Sequence, residues 1–314
     1  MMAQLQRSLT LLVLSALTAW LSICMAKGQW LLAVSGPCVI IFGYAGVLAA
    51  EFVLATRFLV APDDPHPARR AILRAWWNEF WASSRVCCWH QPWRTRRWPD
   101  RADAKAQHRR GLLLVHGYCC NRALWNPWLS GFHADGTPYV ALTLEPAFGS
   151  IDSHGAQIEA AVTHLTAVTG LAPVVVAHSM GGLAVRAWWA EAAPSPNAST
   201  DNPSAASRLH RLITIGTPHH GTWLARWGHT HNARQMRLGS AWWRELLERE
   251  AVEHRLRTTC VHSPCDNVVV PAASALLPEA ESFVVLDAGH LDLLDRPEVR
   301  ALVKRYLDEA PSAP

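Results

Sequence analysis

An apolar run that gives way abruptly to a helical pattern around Ser179 restricts the fold of this chain more than any other feature. Residues 173–177 read Pro-Val-Val-Val-Ala and predict a buried strand, and the residues after Gly182 predict a helix. Because only a few residues separate the two elements, the backbone must turn sharply, and Gly181 lets it pass close to its neighbours. A serine at the tip of such a turn is exposed and can be activated as a nucleophile. The pattern is usually written G-x-S-x-G, and here the small residue Ala177 occupies its first position.

The same alternation of apolar runs and helical patterns continues over residues 111–310 and predicts one α/β domain. Its sheet should be mainly parallel and flanked by helices, with strands at 111–115, 139–144, 173–177, 209–215, 258–262 and 283–286. Residues 222–257 are mostly helical in pattern, and their position predicts a helical cap over the site. A helix at 297–307 should close the domain.

Two charge-free apolar runs precede this domain, at Ser8–Ala26 and Gly28–Ala50. Each has about the ~20 residues that a helix needs to cross the hydrocarbon core of a bilayer. Only Lys27 to Gln29 separate the two runs, so residues 1–56 are predicted to form a membrane anchor of two transmembrane helices. The alternative is a cleaved signal peptide that ends at Ala26, although the first run is long for that and a second follows it at once.

The basic residues beside the two runs predict how the anchor is oriented. The short connection carries only Lys27, whereas Arg7 precedes the first run and several arginines follow the second, namely Arg57, Arg69, Arg70 and Arg74. Because cytoplasmic segments carry an excess of Lys and Arg, both termini and the α/β domain are expected on the cytoplasmic side. For a bacterial protein this membrane would be the inner membrane.

Residues 57–110 connect the anchor to the α/β domain. Residues 68–89 predict a helix with Ile72, Trp76 and Phe80 on one side and arginines opposite, followed by a basic linker over 94–110. A helix rich in Trp and Arg can lie on an anionic membrane surface, and it can equally pack on the domain. The pattern leaves both possibilities open.

Charge and metal-ligand patterns argue against other classes of function. The net charge is +4, but no zinc-finger spacing, RRM motif or recognition-helix pattern accompanies it, so nucleic acid is not an expected partner. The pairs His219-His220 and His229/His231 lack the cysteine or carboxylate partners of a closed zinc site. No metal or cofactor is therefore expected. The eight cysteines are expected to be free thiols, and only Cys260 and Cys265 have a spacing that could close a small disulfide loop.

Five motifs in order make the chain similar to a known family. They are LLLVHGY at 112–118, AHSMGGLAVR at 177–186, TIGTPHHGT at 214–222, SPCDNVVVP at 263–271 and AGHLDLL at 288–294. Over these residues the chain resembles the bacterial lipase and esterase branch of the α/β-hydrolase family, including triacylglycerol lipases and GPI inositol-deacylase-like hydrolases. The resemblance implies an α/β-hydrolase fold and a Ser-Asp-His order of catalytic residues.

The resemblance also assigns roles that agree with the chemistry of the residues. Ser179 would attack an ester carbonyl, His290 would take and later return the proton, and Asp266 would orient the imidazole. The backbone N–H groups of Tyr118 and Met180 would form the oxyanion hole.

Other acidic residues compete for the role of the acid. Asp287, Asp292 and Asp295 all lie close to His290 in the sequence. Asp266 is preferred because it follows the preceding strand, where this fold presents its acid.

The expected reaction is hydrolysis of a carboxylic ester through an acyl-enzyme, with a lipid as the favoured substrate. The anchor would hold the domain near bilayer lipids, and the cap segment carries apolar side chains that could shield an acyl chain: Trp227, Met236, Leu238, Trp242 and Trp243. Those side chains could instead cover the domain's own core. An esterase, thioesterase or acyltransferase acting on small soluble substrates, and a non-catalytic membrane-bound relative, remain alternatives.

Overall fold

The computed structural model describes residues 1–59, 66–102, 109–192 and 208–310, and its centre is a parallel sheet. Six strands in the described residues pair in the order β2-β1-β3-β4-β5-β6, and every pairing is parallel. Their bounds are β1 Leu112–Val115, β2 Tyr139–Ala141, β3 Val174–His178, β4 Arg211–Ile215, β5 Thr258–His262 and β6 Glu281–Val284. The predicted fold class, a mainly parallel sheet flanked by helices, is confirmed.

Alternate residues of the central strands build two separate apolar cores. Leu112 and Leu114 of β1 belong to the core on one face of the sheet, and Leu113 and Val115 belong to the core on the other. This division follows from the two-residue repeat of a strand. Because both faces are buried, the strands read as continuous apolar runs, which is why the sequence reveals them so clearly.

Helices from the crossover connections and the C-terminal helix cover the two faces. The first core includes side chains of α5 (Asn126–Ala134) and α11 (Pro297–Asp308), and the second includes side chains of α6 (Gly155–Thr169) and α7 (Met180–Glu191). α6 is followed by its C-cap residue Gly170, whose φ of +73° is the left-handed conformation that a glycine adopts easily.

The predicted cap segment is more broken than its sequence pattern suggests. It contains a 3₁₀ turn at Trp223–Trp227, α8 (His231–Gln235), α9 (Ala241–Arg249) and α10 (Val252–Leu256). Thr230 and Ser240 accept hydrogen bonds from backbone N–H groups at the starts of α8 and α9, so each of these two helices has its own side-chain N-cap.

Five of the six strands in the described residues have bounds that differ from the predicted ones, β2 and β6 among them. β2 keeps only the first half of the predicted 139–144 run. β6 begins at Glu281 and ends at Val284, two residues earlier than the apolar run at 283–286. β6 lies at the edge of the sheet and is largely exposed, so polar residues such as Glu281 and Ser282 pair there, and an apolar-run criterion overlooks them.

The N-terminal residues form a helical hairpin. α1 (Met2–Ala26) and α2 (Trp30–Val53, extended to Phe58 by a wider π-helical turn) are long and apolar enough to cross a membrane. Most of their large apolar side chains are exposed, as is typical of helices that do not pack into a protein core.

The helix predicted at 68–89 is α3 (Arg69–Arg85), followed by a π-helical turn and the short α4 (Gln91–Trp93). Its Ala75 is buried with Leu48 and Phe52 of α2 and with Cys265 of the α/β domain. Leu73, Trp77 and Trp81 lie at i, i+4 and i+8 and are exposed, together with Trp89. α3 thus packs on the domain with one side and presents an apolar row with another. The packing alternative is thus observed, and contact of the exposed row with a membrane surface stays a prediction.

Candidate active site

The turn after β3 holds Ser179 in an unusual backbone conformation. Its φ is +54°, a value that side-chain-bearing residues rarely adopt. The Ser179 N–H donates to the Ile215 carbonyl at 2.9 Å, and the Thr217 hydroxyl donates to the Ser179 carbonyl at 2.9 Å. Bonds to β4 and to the turn after it therefore secure the strained turn on both sides of the serine.

Two glycines let the neighbouring backbone approach this turn. A Cβ atom at Gly181 would lie 2.6 Å from the His116 carbonyl oxygen, and one at Gly117 would lie 2.7 Å from the Ser179 Cβ. Both distances are shorter than real contacts allow. The glycines of HGY and S-M-G are thus explained by the close packing of the loop after β1 on the turn after β3.

Asp266 and His290 form a buried pair in loops that follow β5 and β6. The His290 Nδ1 lies 2.9 Å from Asp266 Oδ2 and 3.2 Å from Oδ1. Asp266 Oδ1 also accepts the backbone N–H groups of Val268 and Val269, at 2.8 and 2.9 Å, so its carboxylate is held in place. The proton of the imidazole is therefore assigned to Nδ1, which leaves Nε2 as the basic nitrogen.

The three rival carboxylates each pair with arginine instead. Asp287 contacts Arg74 and Arg296, Asp292 contacts Arg296, and Asp295 contacts Arg85 and Arg300. Within the described residues none of them bonds to the His290 ring. Of the four acids considered from the sequence, Asp266 is the one that meets the histidine.

The surroundings of His290 tune its basicity. Burial alone would lower the pKa of His290, but the Asp266 carboxylate opposes burial and raises the pKa above its ordinary value. His178, at the end of β3, lies with its ring centroid 4.5 Å from that of His290 and donates from Nε2 to the His290 carbonyl at 3.3 Å. Burial lowers the pKa of His178 well below its usual value, so this second imidazole is neutral and braces the loop.

The turn after β4 links Ser179 to His290 around one recess, because Ile215 accepts the Ser179 N–H and the next residue, Gly216, lies against the His290 ring. A Cβ atom at Gly216, the residue after β4, would lie 3.0 Å from His290 Nδ1 and 3.1 Å from Asp266 Oδ2. No hydrogen bond joins Ser179 Oγ to His290 Nε2 in the part of the chain that the structure describes. Catalytic hydrogen bonds of this kind often tighten only when substrate is bound. Ser179 is 8% exposed and His290 6%, so the recess is narrow.

The residues assigned to the oxyanion hole flank Ser179 and touch the predicted cap. Met180 begins α7, and Tyr118 follows Gly117 in the loop after β1. Among the described residues, neither backbone N–H donates to another protein group. The Tyr118 hydroxyl bonds to Thr230 at 3.0 Å, and Asn232 donates to the Met180 sulfur at 3.4 Å. The start of α8 is thus in contact with both.

The apolar side chains of the predicted cap divide into two groups. Met236 is buried in the second core and Trp242 packs against it, so these two cover the domain's own interior. Trp227 is 68% exposed, and Leu238 is also exposed. Trp243 is half-buried, with its ring edge-on to His220.

The remaining histidines near the site have structural contacts. His116 accepts the Leu144 N–H at Nε2 and donates from Nδ1 to the Gly117 carbonyl, and burial lowers its pKa to about 4. His219 accepts from Arg186 and contacts Thr214. The described residues contain no group of three or more His, Cys, Asp or Glu side chains that could hold a metal ion. All eight cysteines are free, including Cys260 and Cys265.

Sequence reasoning missed three residues beside the Asp266–His290 pair. Asn267 accepts the His290 backbone N–H at 3.2 Å and donates to Glu51 of α2 at 3.0 Å. Glu79 of α3 accepts the N–H groups of Leu291 and Asp292, both at 2.8 Å. Glu51 and Glu79 each lie more than 200 residues from the groups that they bind, so no local pattern could have indicated these two contacts.

Comparisons with known proteins agree with this architecture. A family model described as the alpha/beta hydrolase family matches residues 112–301. The mature form of the Bacillus licheniformis lipase BlEst2 is similar at 17% identity and a TM-score of 0.51, covering 67% of this chain and 94% of that one. Its propeptide form is similar at 17% identity and a TM-score of 0.52, and the match covers 69% of this chain and 53% of that one. Aspergillus fumigatus lipase B is similar at 19% identity and a TM-score of 0.47, and the match covers 65% of this chain and 54% of that one. Among curated proteins, no sequence matches this chain.

Proposed function

Because the chain belongs to the alpha/beta hydrolase family, we propose that it hydrolyses carboxylic esters with Ser179 as the nucleophile. The observation that carries the proposal is the buried Asp266–His290 pair, 2.9 Å apart, beside a serine on a positive-φ turn between β3 and α7. A hydroxyl, an imidazole base and an oriented carboxylate are the groups that acyl transfer requires.

The proposed reaction has two halves, in which Ser179 is first acylated and then released by water. The Ser179 Oγ attacks the ester carbonyl carbon while His290 Nε2 takes its proton, and the oxyanion forms against the N–H groups of Met180 and Tyr118. His290 then returns the proton to the leaving alcohol, and the acyl group stays on Ser179. In the second half, water attacks the acyl carbon while His290 takes its proton. The bond to Ser179 Oγ breaks, His290 returns the proton to that oxygen and the carboxylic acid is released. Asp266 stabilises the imidazolium in both halves.

A lipid ester is the substrate class that the surroundings of the site favour. α1 reaches the loop after β1, where the Gln6 side chain donates to the Cys119 carbonyl at 3.1 Å. α2 reaches the site through Glu51, which accepts from Asn267, the residue that binds the His290 N–H. The recess therefore lies beside the apolar hairpin, and the exposed row of Leu73, Trp77 and Trp81 belongs to α3, whose other side packs on α2. A bilayer around the hairpin would bring lipid esters to this recess.

Ester hydrolysis by the full chain in lipid–detergent micelles tests both parts of the proposal. We expect turnover of p-nitrophenyl esters to increase from short to long acyl chains. Ser179→Ala should abolish turnover, whereas Ser130→Ala, a control at an exposed serine of α5, should retain it. Preference for short soluble esters would refute the lipid assignment, and turnover by Ser179→Ala would refute the nucleophile.

We also propose that the α/β domain faces the cytoplasm, with the connection between α1 and α2 on the other side. Arg7 and the arginines after α2 outnumber the single Lys27 of the connection. An alkaline phosphatase fused at Gly28 should be active in cells because that enzyme needs an oxidising compartment, and one fused at Gly111 should be inactive. The reverse pattern would place the domain on the opposite side.

A further inference from the structure

A buried carboxylate from outside the α/β domain lies directly beneath the loop that carries His290. Glu79, in the middle of α3, is 3% exposed, and its Oε2 accepts the N–H groups of Leu291 and Asp292, each at 2.8 Å. A carboxylate is expensive to bury unless hydrogen bonds replace its water. Here these bonds come from the two residues that follow the histidine.

The packing at Gly289 shows how closely the side chain and the loop fit. A Cβ atom at Gly289 would lie 2.7 Å from the Glu79 Oε2 and 2.8 Å from its Cβ. The residue before His290 must therefore be a glycine as long as Glu79 occupies this position. The close approach of Glu79 in α3, which lies more than 200 residues earlier in the sequence, thus explains why residue 289 is a glycine.

A second tie holds the same loop from α2. The His290 N–H donates to Asn267, whose amide in turn donates to Glu51. The three consecutive N–H groups of residues 290–292 are thus all bound by side chains, and two carboxylates from the N-terminal helices contribute to that set. Arg74 and Arg85 of α3 add ion pairs to Asp287 and Asp295, on either side of the histidine.

We propose that Glu79 is a positioning residue for His290, so that α3 forms part of the catalytic machinery rather than a simple connection to the anchor. This inference rests on the proposed function, because it assigns Glu79 a role in presenting the base to Ser179. Glu79 acts through the backbone of Leu291 and Asp292 and does not touch the reacting atoms.

Acceptance of hydrogen bonds is the property on which the positioning role depends, and the Glu79 charge adds a rise in the pKa of His290 that is smaller than the one from Asp266. Burial raises the pKa of Glu79 to about 8, so near neutral pH a protonated and an ionised form are both accessible. A glutamine has nearly the same shape and keeps a side-chain oxygen as acceptor. Glu79→Gln should therefore preserve the function, and Glu79→Ala should remove it.

The experiment uses the full chain in micelles and compares Glu79→Ala and Glu79→Gln with Ser83→Ala. Ser83 is a matched control because it is buried on the same helix and its hydroxyl bonds to Tyr44 and to the backbone carbonyls of Glu79 and Phe80, not to the Glu79 carboxylate or the His290 loop. Glu79→Ala should lower kcat by ~10- to 100-fold with KM nearly unchanged, since a misplacement of about 1 Å can reduce a rate by about 10²-fold. Glu79→Gln should restore most of kcat, and Ser83→Ala should stay within about threefold of the wild type, as expected of a change remote from the loop.

Hydrogen exchange provides a readout that does not depend on activity. A peptide spanning residues 288–295 should exchange faster in Glu79→Ala than in the wild type, Glu79→Gln or Ser83→Ala, because two of its N–H groups lose their acceptor. Unchanged exchange and unchanged kcat in Glu79→Ala would overturn the inference. Absence of any esterase activity in the wild type would instead refute the proposed function, and faster exchange would then support only the structural tie.

Discussion

At the scale of single residues, the site depends on buried polar groups that hold one another in place by hydrogen bonds. Ser179 is held at positive φ by bonds on both sides, and His290 is held by Asp266 on its ring and by Asn267 on its backbone. Such a preorganised site needs little rearrangement when charge develops. Its weak point is the loss of any one partner, because the remaining group is left buried and unpaired.

Asp266→Asn tests which carboxylate orients the histidine. An asparagine at this position can bond to the imidazole but favours the wrong tautomer, so we expect kcat to fall by ~10³- to 10⁴-fold, as for the equivalent change in another serine hydrolase. Asp287→Asn is the matched control, because this carboxylate pairs with Arg74 and Arg296. Steady-state kinetics on a soluble ester measure both. A larger loss in Asp287→Asn would reassign the acid.

The pH profile of kcat/KM tests the environment of His290. The base works only when it is neutral, and the Asp266 carboxylate raises the pKa of His290 above 6.5 against the opposing effect of burial. Activity should therefore be lost on acidification at a midpoint above pH 6.5, and Asp266→Asn should move that midpoint to lower pH. A wild-type midpoint below pH 6, or one that Asp266→Asn leaves in place, would contradict this environment.

The sequence predicts a site residue directly where the role depends on its immediate neighbours in the chain. Ser179 and Gly181 could be identified because the strand, the turn and the helix follow one another within a few residues. Asp266 could be preferred over its rivals only by analogy with the fold, and the structure now adds the arginine partners of the rivals. Glu79 gave no signal, because a glutamate in a helix normally indicates a solvated face.

At the scale of elements, the broken helices of the segment 222–257 are tied to the domain by a buried ion pair. Glu250, just after α9, accepts three hydrogen bonds from Arg186 of α7, the shortest at 2.8 Å, and both side chains are fully buried. Arg186 also donates to His219, whose pKa burial lowers well below its usual value. Removing the charge of Glu250 would leave the Arg186 guanidinium buried without a charged partner, which is destabilising.

Glu250→Gln should therefore lower the free energy of unfolding by about 3–5 kcal/mol, the range for breaking one partner of a buried pair. Arg249→Gln is the neighbouring control. Its bridges to Asp152 and Glu191 are partly exposed, so its loss should be at most about 1 kcal/mol. Urea unfolding of the full chain in one detergent gives both values. Equal losses for the two variants would mean that the buried pair does not hold this segment.

Strand positions were well predicted at the centre of the sheet and poorly at its edge. β5 was observed at Thr258–His262, as predicted, because both of its neighbours bury it. β6 differs because an edge strand has less apolar character to indicate it. The predicted cap could not be divided into α8, α9 and α10 from its pattern, because a continuous amphipathic sequence does not reveal where tertiary contacts interrupt a helix.

At the scale of the whole molecule, the hairpin and the α/β domain are joined by specific contacts rather than by a tether alone. α1 bonds to the loop after β1, α2 bonds to Asn267, and α3 bonds to the His290 loop. The apolar surface of the hairpin remains exposed in the structure. Each helix of the hairpin is long and apolar enough to cross a bilayer, by length and composition.

Extraction of cell membranes with alkaline carbonate tests whether the hairpin spans the bilayer. Carbonate removes peripheral proteins, so the full chain should stay in the pellet and keep its intact mass. A peripheral hydrolase of known solubility in the same sample serves as the control for complete extraction. Release into the supernatant, or a mass that corresponds to a new N-terminus at Lys27, would favour the signal-peptide alternative.

The central claim, a serine nucleophile activated by His290, is tested most directly by locating a covalent adduct. The full chain in micelles is treated with a fluorophosphonate, digested and mapped by mass spectrometry, beside Ser179→Ala and His290→Ala. We expect a single adduct on Ser179, its absence in Ser179→Ala and a labelling rate at least about 10²-fold lower in His290→Ala, as expected when the general base is removed. An unlabelled protein, or an adduct on another serine, would contradict the claim.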